Sequence, residues 1–378
     1  MSKESPRLFT PGPLTTSPSV RQAMMHDLGS RDSRFLKIVA DIRDRLLMIA
    51  GVSQEQGYEA VLMQGSGTFG IESVIGSVIG PEDQLLIVVN GAYGRRMHKI
   101  ATAKLLDCEM IEFDDCEVPD VGAVNERLSQ ERFTHLAVVH CETTTGIMNP
   151  IREIGEVAKS HGLIYIVDAM SSFGAVPVDM AEDRIDFLVS SANKCIQGVP
   201  GFSFAIGDRN VLAECKHQST SVSLDLREQL AGLESNGQFR FTPPTHTMLA
   251  FDQALKELVE EGGVAGRAKR YQENQHAIVS GMRELGFVET ICAEHQSYII
   301  TSFNYPADEN FDFQQFYSKL AARGLVIYPG KQSDTECFRI GNIGHLFKQD
   351  MIELLAAIRD VLGELGIQRS GHDVESKG

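Results

Sequence analysis

No two of the seven cysteines in this 378-residue chain form a CxxC pair, and their number is odd. Neither a zinc site nor a disulfide framework is suggested, so no metal is expected and the thiols are expected to be reduced. Positive charge is also short: 35 Lys and Arg against 51 Asp and Glu leave a formal charge of −16. Nucleic acids and anionic membranes are held by basic surfaces, so neither is an expected partner, although a local basic pocket for one small anion remains open. No apolar run approaches the roughly 18 residues that span a bilayer, and the N-terminus lacks a charged-then-apolar export pattern. The cytoplasm is the expected location. There is no internal repeat.

What is present begins with an alternation from residue 84 onward. "QLLIVVN", "CEMIEFD", "HLAVVHC" and "LIYIVDA" read as buried strands, and "AYGRRMHKIATAKLL", "VGAVNERLSQ" and "IREIGEVAKSHG" as the helices between them. Short, continuously apolar strands separated by amphipathic helices predict an α/β fold with a mainly parallel sheet covered on both faces. "RIDFLVSS" and "GFSFAIG" add two strands, after which a polar stretch from about 208 to 245 breaks the rhythm. Its Pro243 and Pro244 exclude regular structure locally. A helix over roughly 246–261 then leads across Gly262 and Gly263 into a second unit. That unit opens with the basic helix "RAKRYQENQHAIVSGMRELG". It continues with strands "SYIITSFNY", "LVIYPG" and "CFRIGN" and two further helices, and reads as a smaller α/β domain with a largely antiparallel sheet. The polar end of the chain, 369–378, is expected to be disordered.

Four features carry candidate chemistry. In "MQGSGTFGIESVIGSVIG" small residues precede a helical pattern; Ser66, Gly67 and Thr68 would let a phosphate approach the N–H groups of a helix start, and the competing reading is a plain turn with an N-cap. The segment fits neither the P-loop spacing nor the dinucleotide fingerprint, which wants a strand directly before it. Asp168 ends the apolar run "LIYIVD", where the strand ends of an open α/β sheet face a ligand crevice; it either caps the next turn or holds a cationic ligand group. Lys194 stands in "SSANKCIQG" among small and apolar neighbours, either as a snorkelling surface lysine or as an amine made nucleophilic by desolvation. The adjacent Cys195 has no implied histidine partner. Arg339, inside the strand-like "CFRIGN", offers a planar fork to a carboxylate or phosphonate, or to a structural ion pair.

Three of the four match the needs of pyridoxal phosphate, which requires a phosphate cradle, an acid for its ring nitrogen and a lysine for its aldehyde. The order Ser-Gly-Thr, Asp-Ala-x-Ser-Ser, Ser-x-x-Lys-x-x-x-Gly-x-Pro-Gly resembles the class V aminotransferases of fold type I. Within that class, "LFTPGPLTTSPSVRQAM", "HDLGSRD", "VVHCETTTGIMNP", "SSANKCIQGVPGFSFAI" and "FRFTPPTHTMLAF" are most similar to the branch that moves the amino group of 2-aminoethylphosphonate to pyruvate. The likeness runs from about Leu8 to Leu365.

The resemblance implies a large cofactor domain over 21–260 with a mainly parallel seven-stranded sheet. It also implies a small C-terminal domain over 261–368 and an N-terminal segment, 1–20, crossing to it. Lys194 becomes the lysine that holds pyridoxal phosphate, Asp168 the partner of its ring nitrogen, and Ser66, Gly67 and Thr68 the phosphate cradle. Tyr93 would stack on the ring, Thr144 would meet the phenolic oxygen, and Gly12 would line the substrate side. Arg339 would grip the substrate's acid group, and Thr242 would reach the phosphate of a second subunit in a homodimer with shared sites. Two departures stand out. The chain has no tryptophan, so Tyr93 takes the place where alanine–glyoxylate enzymes stack one, and Phe239 takes the place of a tyrosine near the subunit-crossing contact. Arg95, Arg96 and Arg323 are candidates for selecting the amino donor, with structural or solvent roles as the simpler reading. A serine or alanine donor, a cysteine desulfurase and a binding protein that lost catalysis remain as alternative functions.

Overall fold

The computed structural model describes residues 5–215, 217–330 and 336–367, so the polar end expected to be disordered lies outside the described residues. The chain divides into two compact units. One consists of Thr16–Glu142 and Ile147–Ala268; the other consists of the described residues of 1–15, Thr143–Gly146 and those from Lys269 onward.

The larger unit is built on seven strands: β1 (Tyr58–Gln64), β2 (Gln84–Val89), β3 (Asp107–Glu112), β4 (His135–Val139), β5 (Ile164–Asp168), β6 (Phe187–Ser191) and β7 (Phe202–Asp208). Their order across the sheet is β1-β7-β6-β5-β4-β2-β3. Only β7 is reversed, running antiparallel to both neighbours, while the other pairs are parallel. Because β7 separates them, β1 and β6 point the same way, and the carboxyl ends of β1, β5 and β6 share one edge. β4 and β6 are buried along their whole length, as a sheet covered on both faces requires.

Seven longer helices belong to this unit: α1 (Ser33–Ile49), α2 (Gly67–Val78), α3 (Ala92–Ala103), α4 (Val121–Gln130), α5 (Ile151–Ser160), α6 (Leu226–Asn236) and α7 (Thr245–Glu260). The helical period is explicit in α5, whose Ile151, Ile154, Gly155 and Ala158 form the buried face. Two elements depart from the sequence expectation. A strand, β1, does directly precede the glycine-rich segment at residue 65, and the polar stretch after 208 contains α6. The ends of α6 are well specified: Asp225 accepts the Glu228 N–H at 3.1 Å, and Gly237 closes the helix at φ 73°.

The smaller unit has its own apolar core, including Phe303, Phe316, Phe338, Leu354 and Ile358. Its sheet has three antiparallel strands, β8 (Ile300–Asn304), β9 (Tyr328–Pro329) and β10 (Cys337–Gly341), in the order β8-β10-β9. Most of α8 (Gly263–Glu284), with α9 (Phe313–Ala322) and α10 (Lys348–Glu364), completes it. Near the N-terminus, Arg7–Leu8 pairs in parallel with Leu325–Val326 of the same unit.

Candidate active site

At the carboxyl edge of the larger unit's sheet lies a cavity of about 190 Å³. Seven of the residues singled out in the sequence line it: Ser66, Gly67 and Thr68 from the start of α2, Tyr93 and Arg96 from α3, Asp168 at the end of β5, and Lys194 beyond β6. They come from four separate chain segments, and the parallel topology gathers them because it places strand ends and helix starts on one rim.

Lys194 sits on a short loop tied to itself. The Gln197 N–H donates to the Lys194 carbonyl at 2.7 Å, and the Gly198 N–H donates to that of Ala192 at 2.9 Å. A Cβ on Gly198 would stand 2.8 Å from the Ala192 oxygen, so the close approach requires glycine. Gln197 occupies the left-handed region at φ 68°. The lysine is half-buried and lines the cavity. Burial lowers its pKa, aided by the charge of Arg96, while Cys195 and Asp168 act in the opposite direction. A larger fraction of neutral amine than in an ordinary lysine is the consequence, and that is the nucleophilic form.

Asp168 is buried, and burial pushes its carboxyl up to about 6 against the Met170 N–H and the charges of Arg96 and Lys194. Its Oδ1 accepts that N–H at 2.9 Å, and its main-chain oxygen accepts from the His140 N–H at 2.9 Å. His140 Nδ1 and Ser172 Oγ lie 2.9 Å apart, and burial lowers the imidazole to about 4, so no imidazolium forms behind the acid near neutral pH. A buried carboxylate favours a cationic partner.

Ser66 occupies the N-cap position of α2, as the turn reading expects, but makes no side-chain cap hydrogen bond. Helix-start N–H groups of this kind suit an anion. Arg96 lines the same cavity, with Nη1 3.4 Å from Thr68 Oγ1 and Cζ 4.9 Å from the centre of the Tyr93 ring. The Tyr93 N–H donates to Glu142 Oε2 at 3.1 Å. Gly91 makes room for that carboxylate, because a Cβ there would meet Glu142 Cδ at 2.3 Å. Sequence reasoning named Arg96 only as a candidate for selecting the amino donor, not beside the phosphate cradle, and it missed Glu142, whose only prior signal was its place in "CETTTG".

The family model for class V aminotransferases matches residues 18–346. The chain is a class V aminotransferase. A 2-aminoethylphosphonate–pyruvate transaminase of Salmonella schwarzengrund is 51% identical to it over 367 residues, 96% of this chain and 99% of the relative. The protein of that name in Salmonella typhimurium is 50% identical over the same extent. Among solved structures, alanine–glyoxylate aminotransferase from Nostoc sp. matches at a TM-score of 0.88, with 25% identity and 96% of each chain covered. Ureidoglycine–glyoxylate aminotransferase from Bacillus subtilis shares the fold at a TM-score of 0.89 and 24% identity, covering 98% of this chain and 96% of its own. The architecture is that of fold type I.

Pyridoxal phosphate is the cofactor of this class of aminotransferases, and the residues present fit it. An uncapped helix start suits its phosphate, a buried acid its ring nitrogen, and a desolvated lysine its aldehyde.

The remaining residues named from the sequence fall elsewhere. Thr242 is exposed and does not line the cavity, and Phe239 is packed into the apolar core. Gly12, Thr144 and Arg339 belong to the smaller unit. There Arg339 is buried in β10, donating from Nη1 to the Thr143 carbonyl at 2.7 Å and from Nη2 to that of Pro329 at 2.7 Å. The segment before Gly12 follows the same strand, with the Gly341 N–H donating to the Phe9 carbonyl at 3.0 Å. Of the other arginine candidates, Arg95 pairs with Glu112 and Asp115, and Arg323 with Glu364, in ordinary surface ion pairs.

Proposed function

We propose that this aminotransferase moves the amino group of 2-aminoethylphosphonate to pyruvate, giving phosphonoacetaldehyde and L-alanine, in the cytoplasmic breakdown of phosphonates. The observation that carries the reaction type is the meeting of Lys194, Asp168 and the open start of α2 in one cavity. The substrates rest on half-identity, over nearly the whole length, to transaminases named for them.

Bound pyridoxal phosphate supplies an aldehyde that captures amines and a ring that accepts electrons from the carbon beside the nitrogen. Ser66, Gly67 and Thr68 hold the phosphate through backbone N–H groups and hydroxyls. Asp168 keeps a proton on the ring nitrogen, which makes the ring a better electron acceptor. With the cofactor bound, Lys194 Nζ would take the proton from the substrate carbon bearing nitrogen and return it to the former aldehyde carbon, acting as base and then as acid. In the pyruvate half-reaction the same amine moves the proton in reverse. Tyr93, anchored through its N–H by Glu142, would stack on the ring, and Thr144 would meet the phenolic oxygen. Arg339 takes the phosphonate and the carboxylate in turn, since a planar guanidinium matches both anions. Gly12 lines the substrate side.

The active form is a homodimer in which Thr242 reaches the phosphate of the partner subunit. Supporting this are two half-exposed rings. Phe241 is 47% exposed and bound through its carbonyl by Gln64, and Phe69 is 50% exposed and packed on Gly65. Both are rings that a partner subunit would cover in the proposed dimer.

The test is the visible spectrum of the purified protein, with 2-aminoethylphosphonate, L-serine and L-alanine added separately. Conversion of the bound cofactor to its amine form by the phosphonate far faster than by serine supports the assignment. A response to serine instead transfers the function to a serine or alanine aminotransferase, a reading favoured by the structural likeness to the Nostoc enzyme. A protein that takes up no cofactor refutes both.

A further inference from the structure

We infer that Arg267 is a positioning residue for Lys194, its guanidinium fixing the peptide carbonyl directly after the reactive lysine. The inference rests on the aminotransferase reading and adds to it a residue outside the cavity. Arg267 lies in "RAKRYQEN", whose basic character suggests a solvated helix face, yet it is 1% exposed. A buried guanidinium is costly unless its donors are matched. Its Nε donates to Glu261 Oε2 at 2.6 Å, and its Nη1 donates to the carbonyl of Cys195. Because the group is flat and rigid, holding one edge on Glu261 sets the direction in which the other edge presents its N–H.

That direction matters because the carbonyl it meets belongs to the residue next to Lys194. The Gln197 and Gly198 N–H groups close the loop upon Lys194 and Ala192, and the Ala192 N–H donates to the Phe202 carbonyl of β7 at 3.1 Å, which ties the start of the loop to the sheet. Two further bonds to other segments act on Cys195. Its Sγ–H donates to the Ser171 carbonyl at 3.1 Å, in the segment that follows Asp168, and its own carbonyl receives Arg267. Lys194 Nζ stands at the end of a flexible stem, and fixing its Cα is one way the fold limits its reach. Gln197, held at φ 68°, is a conformation that side chains disfavour and that surrounding contacts must enforce. Arg267 holds the carbonyl two residues before Gln197.

The experiment compares wild-type holoenzyme with Arg267→Met/Glu261→Gln, which leaves no orphan carboxylate, and with Arg267→Lys, which keeps the charge and loses the fork. Three quantities are read: the pH midpoint of the bound cofactor's visible band, kcat, and KM for 2-aminoethylphosphonate. A misplaced lysine should lower kcat by roughly 10- to 100-fold with KM changed less than about 2-fold. The band midpoint should move, and Arg267→Lys should recover part of the loss. A folded double variant with wild-type kcat and midpoint overturns the inference. So does a loss confined to cofactor occupancy, with unchanged kcat per bound cofactor. If the double variant does not fold, the lysine variant decides by the same readouts. A wild-type protein with no cofactor band removes the aminotransferase reading and this inference with it, whereas a normal wild type with unmoved variants removes the positioning role alone.

Discussion

Replacing Asp168 by asparagine should stabilise the cofactor-free protein while abolishing transamination. Burial lifts the Asp168 carboxyl from 3.8 to about 6, so the native state binds that proton more tightly than the unfolded chain does. Below about 3.8 both states are protonated and the site costs nothing. As pH rises toward 6 the native state holds the extra proton and stability falls; above 6 the whole penalty persists, about 3 kcal/mol for a shift of roughly two units. Asparagine keeps an oxygen for the Met170 N–H and carries no charge at any pH. The variant should therefore gain about 1.5 kcal/mol over wild type at pH 5 and about 3 kcal/mol at pH 8. Urea unfolding of both cofactor-free proteins at the two pH values measures this directly. With saturating pyridoxal phosphate the order should reverse, because only the carboxylate can balance a protonated ring nitrogen. A variant no more stable than wild type at pH 8, or a difference that does not grow between pH 5 and pH 8, would refute the claim that the acid is held for a cation at a cost to the fold.

Lys194→Ala should remove the band of covalently held cofactor and lower turnover by at least about 100-fold, the scale of a lost acid–base group; retention of either property excludes Lys194 as the reactive amine. Glu142→Ala strips the Tyr93 N–H of its carboxylate, and the weakened start of α3 should loosen cofactor binding by about 10-fold in an absorbance titration. An unchanged affinity would mean that Tyr93 needs no such anchor. Arg96 lowers the pKa of both Asp168 and Lys194 through its charge. Arg96→Gln should accordingly move the Asp168 carboxyl titration upward when followed by NMR, and a downward or absent shift contradicts the placement of Arg96 beside the site.

The parts of the fold legible in the sequence are those whose signal is local. β2, β4, β5 and β6 are continuous apolar runs of strand length between helical patterns, which reads as a covered sheet. β1 was hidden because "YEAVLMQ" carries Glu59, a residue that argues against a buried strand. Glu59 is 4% exposed, and Arg43 from α1, 16 positions earlier, meets its Oε2 at 2.7 Å. Its charge is compensated by a partner that only the fold delivers. α6 was obscured in the same way: Leu226, Leu230 and Leu233 form its buried stripe, but polar neighbours dilute them. The candidate site divides along the same line. Lys194, Asp168 and the Ser66–Thr68 segment can be named in advance because the residue type itself carries the chemistry. Glu142 and Arg267 cannot, because each is recognised by a backbone group it meets across the chain, Arg267 reaching a carbonyl 72 positions away. Groups that perform a reaction are thus visible in sequence. Groups that hold the performers in place become visible only when the fold shows which N–H or carbonyl they face.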